Sequence, residues 1–187
     1  VSGLTPGTSY SYRVRAVNAG GISQNSNVMG TITISPAVIA TAASLINETS
    51  FTAHWQITTG ASSYRLDVSI DDFATFLPGF NNLTVNATSQ SINSLNAGTQ
   101  YKYRVRAVNA SGTSANSNSM TTKTVSIAPD QPGTSIVGAN AFTVNWNAVV
   151  GAESYLLDVS TDNFATFITG FNNKSVNGLS QLVNGLN

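Results

Sequence analysis

Cysteine is absent from this sequence of 187 residues, so disulfides and thiolate chemistry are both excluded. Charge is scarce as well: charged residues make up 9% of the chain and the formal net charge is zero. Because such a chain has no strong electrostatic field to steer nucleic acid, we expect no nucleic-acid partner. No apolar run approaches the ~20 residues that a membrane span needs, so we also expect no membrane insertion.

Helical periodicity is missing too, and short strands with period-2 alternation take its place. In SFTAHWQI, Phe51, Ala53 and Trp55 fall on one face while polar residues fall on the other. The segments SYRLDVSI and YKYRVRAVNA alternate in the same way. Many short alternating strands separated by Gly, Asn, Ser and Pro predict an all-β sandwich of two sheets.

An internal repeat divides the chain. YSYRVRAVNA from Tyr10 returns as YKYRVRAVNA from Tyr101, a shift of 91 residues. YRLDVSIDDFATFLPGFNN from Tyr64 returns as YLLDVSTDNFATFITGFNN from Tyr155, with the same shift of 91. Sequences that repeat at a fixed period indicate tandem structural units.

Several motifs of the repeat resemble those of fibronectin type III domains. The run from Leu95 to Asn109, with Ala-Gly-Thr followed by alternating Tyr, Tyr, Val and Ala, is similar to the sixth-strand signature of that family. Residues 4–18 show it again, now with the family's usual proline at Pro6. Trp55 and Trp146 match the second-strand tryptophan of the family. One departure is the insert DDFATFLPGFNN, which is longer and more aromatic than the usual connection and is similar to modules of secreted and surface proteins of bacteria.

The resemblance implies tandem fibronectin type III (immunoglobulin-like) β-sandwiches, with seven strands in sheets A-B-E and C′-C-F-G. Residues 1–34 would supply strands F and G of one module, 35–125 a complete module, and 126–187 strands A to E of a third. Tyr10 and Tyr101 would form the tyrosine corner, whose hydroxyl returns to nearby backbone. The predicted structural core contains Tyr10, Trp55, Tyr64, Tyr101, Trp146 and Tyr155.

The two partial modules are expected to be completed by a neighbouring copy, through strand complementation, or by the continuing chain. Without strand F, we expect apolar side chains of the third module to face water, namely Phe142, Val144, Trp146, Tyr155, Leu157 and Val159. Strands C and F are neighbours in this fold, so Asp67 should lie near Arg104 or Arg106. By the 91-residue shift, Asp158 should meet Arg13 or Arg15 across the boundary between copies. We expect these pairs to be exposed and to contribute only ~0–1 kcal/mol each.

Catalytic and metal-binding residues are not predicted. His54 is the only histidine, and Asn145 takes its place in the next repeat, so a solvated surface residue is the favoured reading. The DVSIDD segment has alternating oxygen ligands but lacks the glycine and the bidentate glutamate of a calcium loop. We therefore predict no cofactor and no metal.

Two functions remain open. The first is a non-catalytic array that forms a stalk or filament at a bacterial cell surface, with copies of itself, head to tail, or adjacent repeats as partners. The second is an adhesin or the carbohydrate-binding accessory module of a secreted protein, with surface glycans as partners. A concave groove lined by exposed Phe76 or Phe80 would favour the second function, and burial of those rings would count against it.

Overall fold

The computed structural model describes residues 1–130, 133–135 and 137–186, so residues 131, 132, 136 and 187 of the predicted third module lie outside it. All regular elements of the described residues are β-strands. In this part of the chain no helix has the length and apolar character needed to cross a membrane. The chain divides into two compact units. Unit 1 comprises Val1–Ile46, Ser50–Asn93 and Gln100–Lys123, and unit 2 comprises Asn47–Thr49, Ser94–Thr99 and Thr124–Asn187.

The first strands of unit 1 form two small antiparallel ladders. These are β1 (Ser9–Tyr12), β2 (Val17–Asn18), β3 (Gly21–Ile22) and β4 (Met29–Ile32). β1 pairs with β4, and β2 pairs with β3.

The remaining strands of unit 1 form a two-sheet sandwich, which confirms the predicted fold class. The strands are β5 (Ala40–Ser44), β6 (Phe51–Trp55), β7 (Ser63–Ser69), β8 (Leu83–Val85), β9 (Ser89–Ile92), β10 (Gln100–Asn109), β11 (Gly112–Thr113) and β12 (Met120–Lys123). One sheet has the order β5-β6-β9, and the other has the order β11-β10-β7-β8 with β12 also paired to β10. These orders correspond to the sheets A-B-E and C′-C-F-G that the resemblance implied.

The core of this sandwich consists of the inward residues of the alternating strands. Phe51, Leu66, Val68 and Tyr103 are almost completely buried. The rings of Phe51 and Tyr103 stack with their centroids 6.0 Å apart. Each large side chain buried in this way contributes ~1.5–3 kcal/mol, so the period-2 pattern accounts for both the strands and their packing.

Unit 2 contains a three-stranded sheet and a hairpin. The strands are β13 (Gly133–Ser135), β14 (Ala141–Asn145), β15 (Tyr155–Leu157), β16 (Lys174–Val176) and β17 (Ser180–Asn184). The sheet has the order β13-β14-β17, and β15 pairs with β16. Its buried cluster consists of Val144, Trp146, Val159, Phe171, Val176 and Val183.

The expected exposure of six apolar residues in this unit is wrong for three of them. Val144, Trp146 and Val159 are buried, and only the other three, Phe142, Tyr155 and Leu157, are half-buried. The reason is the loop after β15, which covers the core. Phe171 of this loop joins the buried cluster, and the amide of Phe171 donates a hydrogen bond to the carbonyl oxygen of Ile168.

Candidate functional site

A contact between two glycines joins successive repeats in unit 1. Gly7 and Gly60 both have left-handed backbones, with φ of +65° and +73°. A Cβ added to Gly7 would lie 2.2 Å from the carbonyl oxygen of Thr59, and one added to Gly60 would lie 2.4 Å from that of Gly7. Both distances are below any normal contact, so only glycine allows the two backbones to approach this closely.

The same contact occurs in unit 2, shifted by 91 residues. Gly98 and Gly151 again have positive φ. A Cβ on Gly98 would lie 2.0 Å from the carbonyl oxygen of Val150, and one on Gly151 would lie 2.1 Å from that of Gly98. We call the Gly7–Gly60 and Gly98–Gly151 contacts the glycine junctions. Their only signal in the sequence is that the four glycines repeat at the same spacing.

Hydrogen bonds fix the linker beside the first junction. The amide of Gly7 donates to the carbonyl oxygen of Ile34 over 2.9 Å. The side-chain amide of Asn109, which belongs to the following repeat, donates to the carbonyl oxygen of Thr33 over 2.9 Å and to Ser35 Oγ over 3.2 Å. The segment that leaves one repeat is therefore anchored by Asn109, the last residue of strand β10 in the next repeat.

An ion-pair site lies between β7 and β10. Asp67 Oδ2 accepts hydrogen bonds from Arg104 Nε at 3.0 Å and Arg106 Nη2 at 2.8 Å. Asp67 Oδ1 accepts one from the amide of Asn82 at 2.8 Å. The predicted proximity of Asp67 to these arginines is confirmed. The predicted exposure of the pair is wrong, because the Asp67 side chain is only 1% exposed.

The aromatic insert buries this carboxylate. Arg104 Cζ lies 4.3 Å from the ring centroid of Phe73 and 5.8 Å from that of Phe76. Asp72 and Phe73 adopt left-handed backbones, with φ of +59° and +69°, which turns the loop back over the sheet. Such conformations are rare for residues other than glycine, so sequence patterns do not reveal them.

A clasp of hydrogen bonds holds the turn at the start of the insert. Ser69 Oγ donates to Asp71 Oδ1 over 2.7 Å. Thr75 donates to the same carboxylate from its hydroxyl over 2.6 Å and from its amide over 2.9 Å. These bonds, those from Thr75 first, lower the pKa of Asp71 to about 2. The clasp recurs at Ser160, Asp162 and Thr166, where the pKa of Asp162 is also lowered to about 2.

We expect Thr75→Val to raise the pKa of Asp71 from about 2 toward its ordinary value of 3.8, because the largest stabilising bond of the carboxylate is removed. In the native protein the carboxylate stabilises the turn above pH 3.8, and this stabilisation is lost as the pH falls through about 2. NMR titration of the carboxyl carbons measures both values. Asp162 is the internal control, and a pKa of Asp71 that stays at about 2 in the variant would contradict the assignment.

The structure places the predicted core aromatic residues in two groups. Trp55, Tyr64, Tyr101 and Trp146 are buried. Tyr10 and Tyr155 are only half-buried, which differs from the expectation of core positions. The reason is that each lies on a strand with a single partner among the described residues, β1 with β4 and β15 with β16.

Two further predictions concern the corner tyrosine and the inter-copy pairs. The Tyr10 hydroxyl accepts a hydrogen bond from the amide of Thr5 over 2.8 Å, as a tyrosine corner requires. Arg13, Arg15 and Asp158 are exposed, and their pairing between copies stays a prediction.

Groups for catalysis or metal binding do not converge in the described residues. The described side chains contain no cluster of three or more His, Asp or Glu that could hold a metal ion. His54 is half-buried, and its Nε2 lies 2.7 Å from Ser44 Oγ. The described residues of the repeat instead form contacts between strands, between loops and between successive repeats.

Comparisons with known proteins identify one family model and several solved structures that are similar to this chain. The family model of the fibronectin type III domain matches residues 37–123. No curated protein matches the chain significantly. Among solved structures, the FN3tt mutant is 21% identical with a TM-score of 0.40, covering 50% of this chain and 97% of that one. Domains of titin are 20% identical with a TM-score of 0.44, covering 66% and 43%. The FN1-FN3 domains of chicken CNTN1 are 18% identical with a TM-score of 0.43, covering 98% and 67%.

Proposed function

Since residues 37–123 are a fibronectin type III domain, we propose that the chain belongs to a structural repeat array that forms an extracellular stalk or filament at a bacterial cell surface. Fibronectin type III domains are commonly structural or adhesion modules and are generally non-catalytic scaffolds. They occur in extracellular and surface proteins. The placement of this chain outside a bacterial cell is part of the proposal.

The observation that supports an array is the pair of glycine junctions. A backbone contact that excludes every side chain recurs after 91 residues with nearly the same geometry. A module that functions alone has no use for such a contact, whereas an array gains a defined junction at each step. In repeat proteins, stability is approximately the sum of unit terms and nearest-neighbour interface terms, so an interface that recurs at each repeat adds stability with every repeat.

The proposal includes the completion of the partial repeats by a neighbouring copy or by the continuing chain. Sparse charge and a surface rich in Ser, Thr and Asn suit an inert exterior. Nothing in this function requires a cofactor, a nucleic acid or a membrane-inserted segment.

A second candidate is the adhesin or carbohydrate-binding module. Phe76 and Phe80 are half-buried, and Phe76 lies close to Arg104, which supports the role of covering the sandwich edge. In unit 2, however, Phe164 and Phe167 are exposed and their rings are 6.4 Å apart, so a stacking platform for sugars is available there. A glycan array separates the two functions: binding that is lost in Phe164→Ala would favour the adhesin.

Immunogold electron microscopy of the source cells, with an antibody raised against residues 37–123, tests the stalk. We expect gold particles on fibres outside the cell envelope, at regular intervals of one or two repeats. Labelling inside the cell, or at scattered points without fibres, would contradict the proposal. Pre-immune serum is the control for non-specific labelling.

A further inference from the structure

The two glycine junctions have the same backbone contact but different side chains around it. The residues that change are Thr5 to Asn96, Pro6 to Ala97, Ile34 to Val125, Thr58 to Val149 and Thr59 to Val150. The glycines do not change. The distances from a Cβ at each glycine to the opposite carbonyl oxygen are 2.2 and 2.4 Å in the first junction and 2.0 and 2.1 Å in the second. The geometry of the contact is therefore independent of these side chains.

Each repeat also holds the linker that leaves it in the same way. Thr33 Oγ1 donates to the carbonyl oxygen of Thr5 over 2.7 Å, and Thr124 Oγ1 donates to that of Asn96 over 2.7 Å. The amide of the first glycine of each junction donates to a linker carbonyl oxygen, over 2.9 Å in the first junction and 3.0 Å in the second. Every acceptor is a main-chain oxygen, which any residue provides, so the change from Thr5 to Asn96 leaves the bond intact.

The repeat that follows the first linker binds it through main-chain oxygens. Asn109 is buried, and its Nδ2 donates to the carbonyl oxygen of Thr33 over 2.9 Å. Ser111 Oγ donates to the carbonyl oxygen of Ile32. These two bonds would form equally well if the linker residues were exchanged for others, because a carbonyl oxygen is present at every position.

Two linker side chains also meet the next repeat. Asn109 Nδ2 donates to Ser35 Oγ over 3.2 Å, and the second linker has a serine, Ser126, at the same position. Ile34 lies beside Gly112, where an added Cβ would be 3.7 Å from its Cδ1, an ordinary van der Waals distance. The second linker has the smaller valine at that position, which the same space admits. Both contacts are therefore compatible with either linker.

We propose that the face formed by Gly60, Asn109 and Ser111, which we call the receiving face, accepts the end of any repeat of this array. It contacts the main chain of its partner rather than the side chains in which the repeats differ. The partner is a repeat end that presents a left-handed glycine and the carbonyl oxygens of its linker. The proposal rests on the array function and adds that repeats can be gained, lost or reordered in units of 91 residues without a strained junction.

A chain that carries residues 33–123 in duplicate tests this proposal. The second copy is inserted after Lys123, in phase with the repeat, so that Gly98 of one copy meets Gly60 of the next, whereas in the native chain Gly60 meets Gly7. The native and the new junction then share linker residues 33–38, so both linkers offer thermolysin the same peptide bonds. Mass spectrometry separates the two cleavage sites, because their N-terminal fragments differ by the mass of one repeat.

We expect thermolysin to cleave the new linker at a rate within about fivefold of the native linker, because cleavage reports how often a junction opens. A new linker that is cleaved faster than this would overturn the proposal. The positive control is the same chain with Gly60→Ala in the second copy. It should expose the new linker about 30-fold more and leave the native linker unchanged.

Two variants of the native chain test the receiving face separately. Asn109→Asp retains the Oδ1 that accepts the amide of Ser111 over 3.0 Å but loses the donor to Thr33, so we expect linker cleavage about tenfold faster. Thr59→Val gives the first junction the side chain that the second has at Val150, and it should leave the rate unchanged. Faster cleavage in Thr59→Val, or an unchanged rate in Asn109→Asp, would contradict recognition through the main chain.

Failure of this proposal is distinguishable from failure of the array function. Rapid cleavage of the new linker would show that each junction fits its native partner alone, and the immunogold labelling would still decide whether the fibres exist. An absence of fibres outside the cell would contradict the array function and leave the cleavage rates as they are.

Discussion

Replacing Asp67 by Asn should lower the free energy of unfolding of unit 1 by about 2–4 kcal/mol. The change leaves Arg104 and Arg106 without the carboxylate that neutralises both of them. Losing one partner of a fully buried pair costs roughly 3–5 kcal/mol. We expect less here because the two arginine side chains are 24% and 22% exposed, so water stabilises part of their charge.

The repeat offers a matched control for this prediction. Asp158 is the counterpart of Asp67, and it is exposed and has no arginine beside it among the described residues, so Asp158→Asn should change stability by less than ~0.5 kcal/mol. Urea unfolding followed by Trp55 fluorescence in a Trp146→Phe background reports on unit 1 and the Asp67 variant, and Trp146 fluorescence in a Trp55→Phe background reports on unit 2 and the Asp158 variant. A loss below ~1 kcal/mol for Asp67→Asn would mean that the pair behaves as an exposed one.

Replacing Gly60 by Ala should open the first glycine junction. The new Cβ would lie 2.4 Å from the carbonyl oxygen of Gly7, and the chain relieves this clash most readily by separating the two loops. Overpacking of this kind costs roughly 1–3 kcal/mol, so we expect thermolysin to cleave the linker at residues 32–38 about 30-fold faster. Cleavage rate reports the population of the opened state when opening is fast.

Gly79→Ala is the control for backbone strain. Gly79 has a φ of +80°, close to that of Gly60, but a Cβ there would meet nothing within 4 Å. Both variants carry the ~1–2 kcal/mol penalty of a left-handed alanine, and only Gly60→Ala adds the clash. Equal linker cleavage in the two variants would show that the close approach does not hold the repeats together.

The fold could be predicted from the sequence because its signals are local and recur. The alternation of Tyr64, Leu66 and Val68 against Arg65 predicts which face of the strand packs in the core, and the structure buries these three residues and leaves Arg65 half-buried. Strands C and F are neighbours in this fold, and this relation alone predicts that Asp67 lies beside Arg104.

Other features could not be predicted, for physical reasons. The burial of Asp67 depends on the left-handed backbones of Asp72 and Phe73, which intrinsic preferences disfavour and which only the packed loop stabilises. The glycine junctions depend on which two loops meet, and a glycine by itself indicates only that a positive φ is permitted. The half-burial of Tyr155 reflects the partners of its strand rather than its own sequence.

The position of Asp67 ahead of its arginines has a consequence for synthesis on the ribosome. The acid emerges 37 residues before Arg104 and 39 before Arg106. Until those residues leave the exit tunnel, sealing the carboxylate under the aromatic insert would strip its hydration with no cation to replace the water. We therefore expect a nascent repeat to stay open until its own basic strand arrives, which disfavours premature collapse onto a neighbouring repeat of similar sequence.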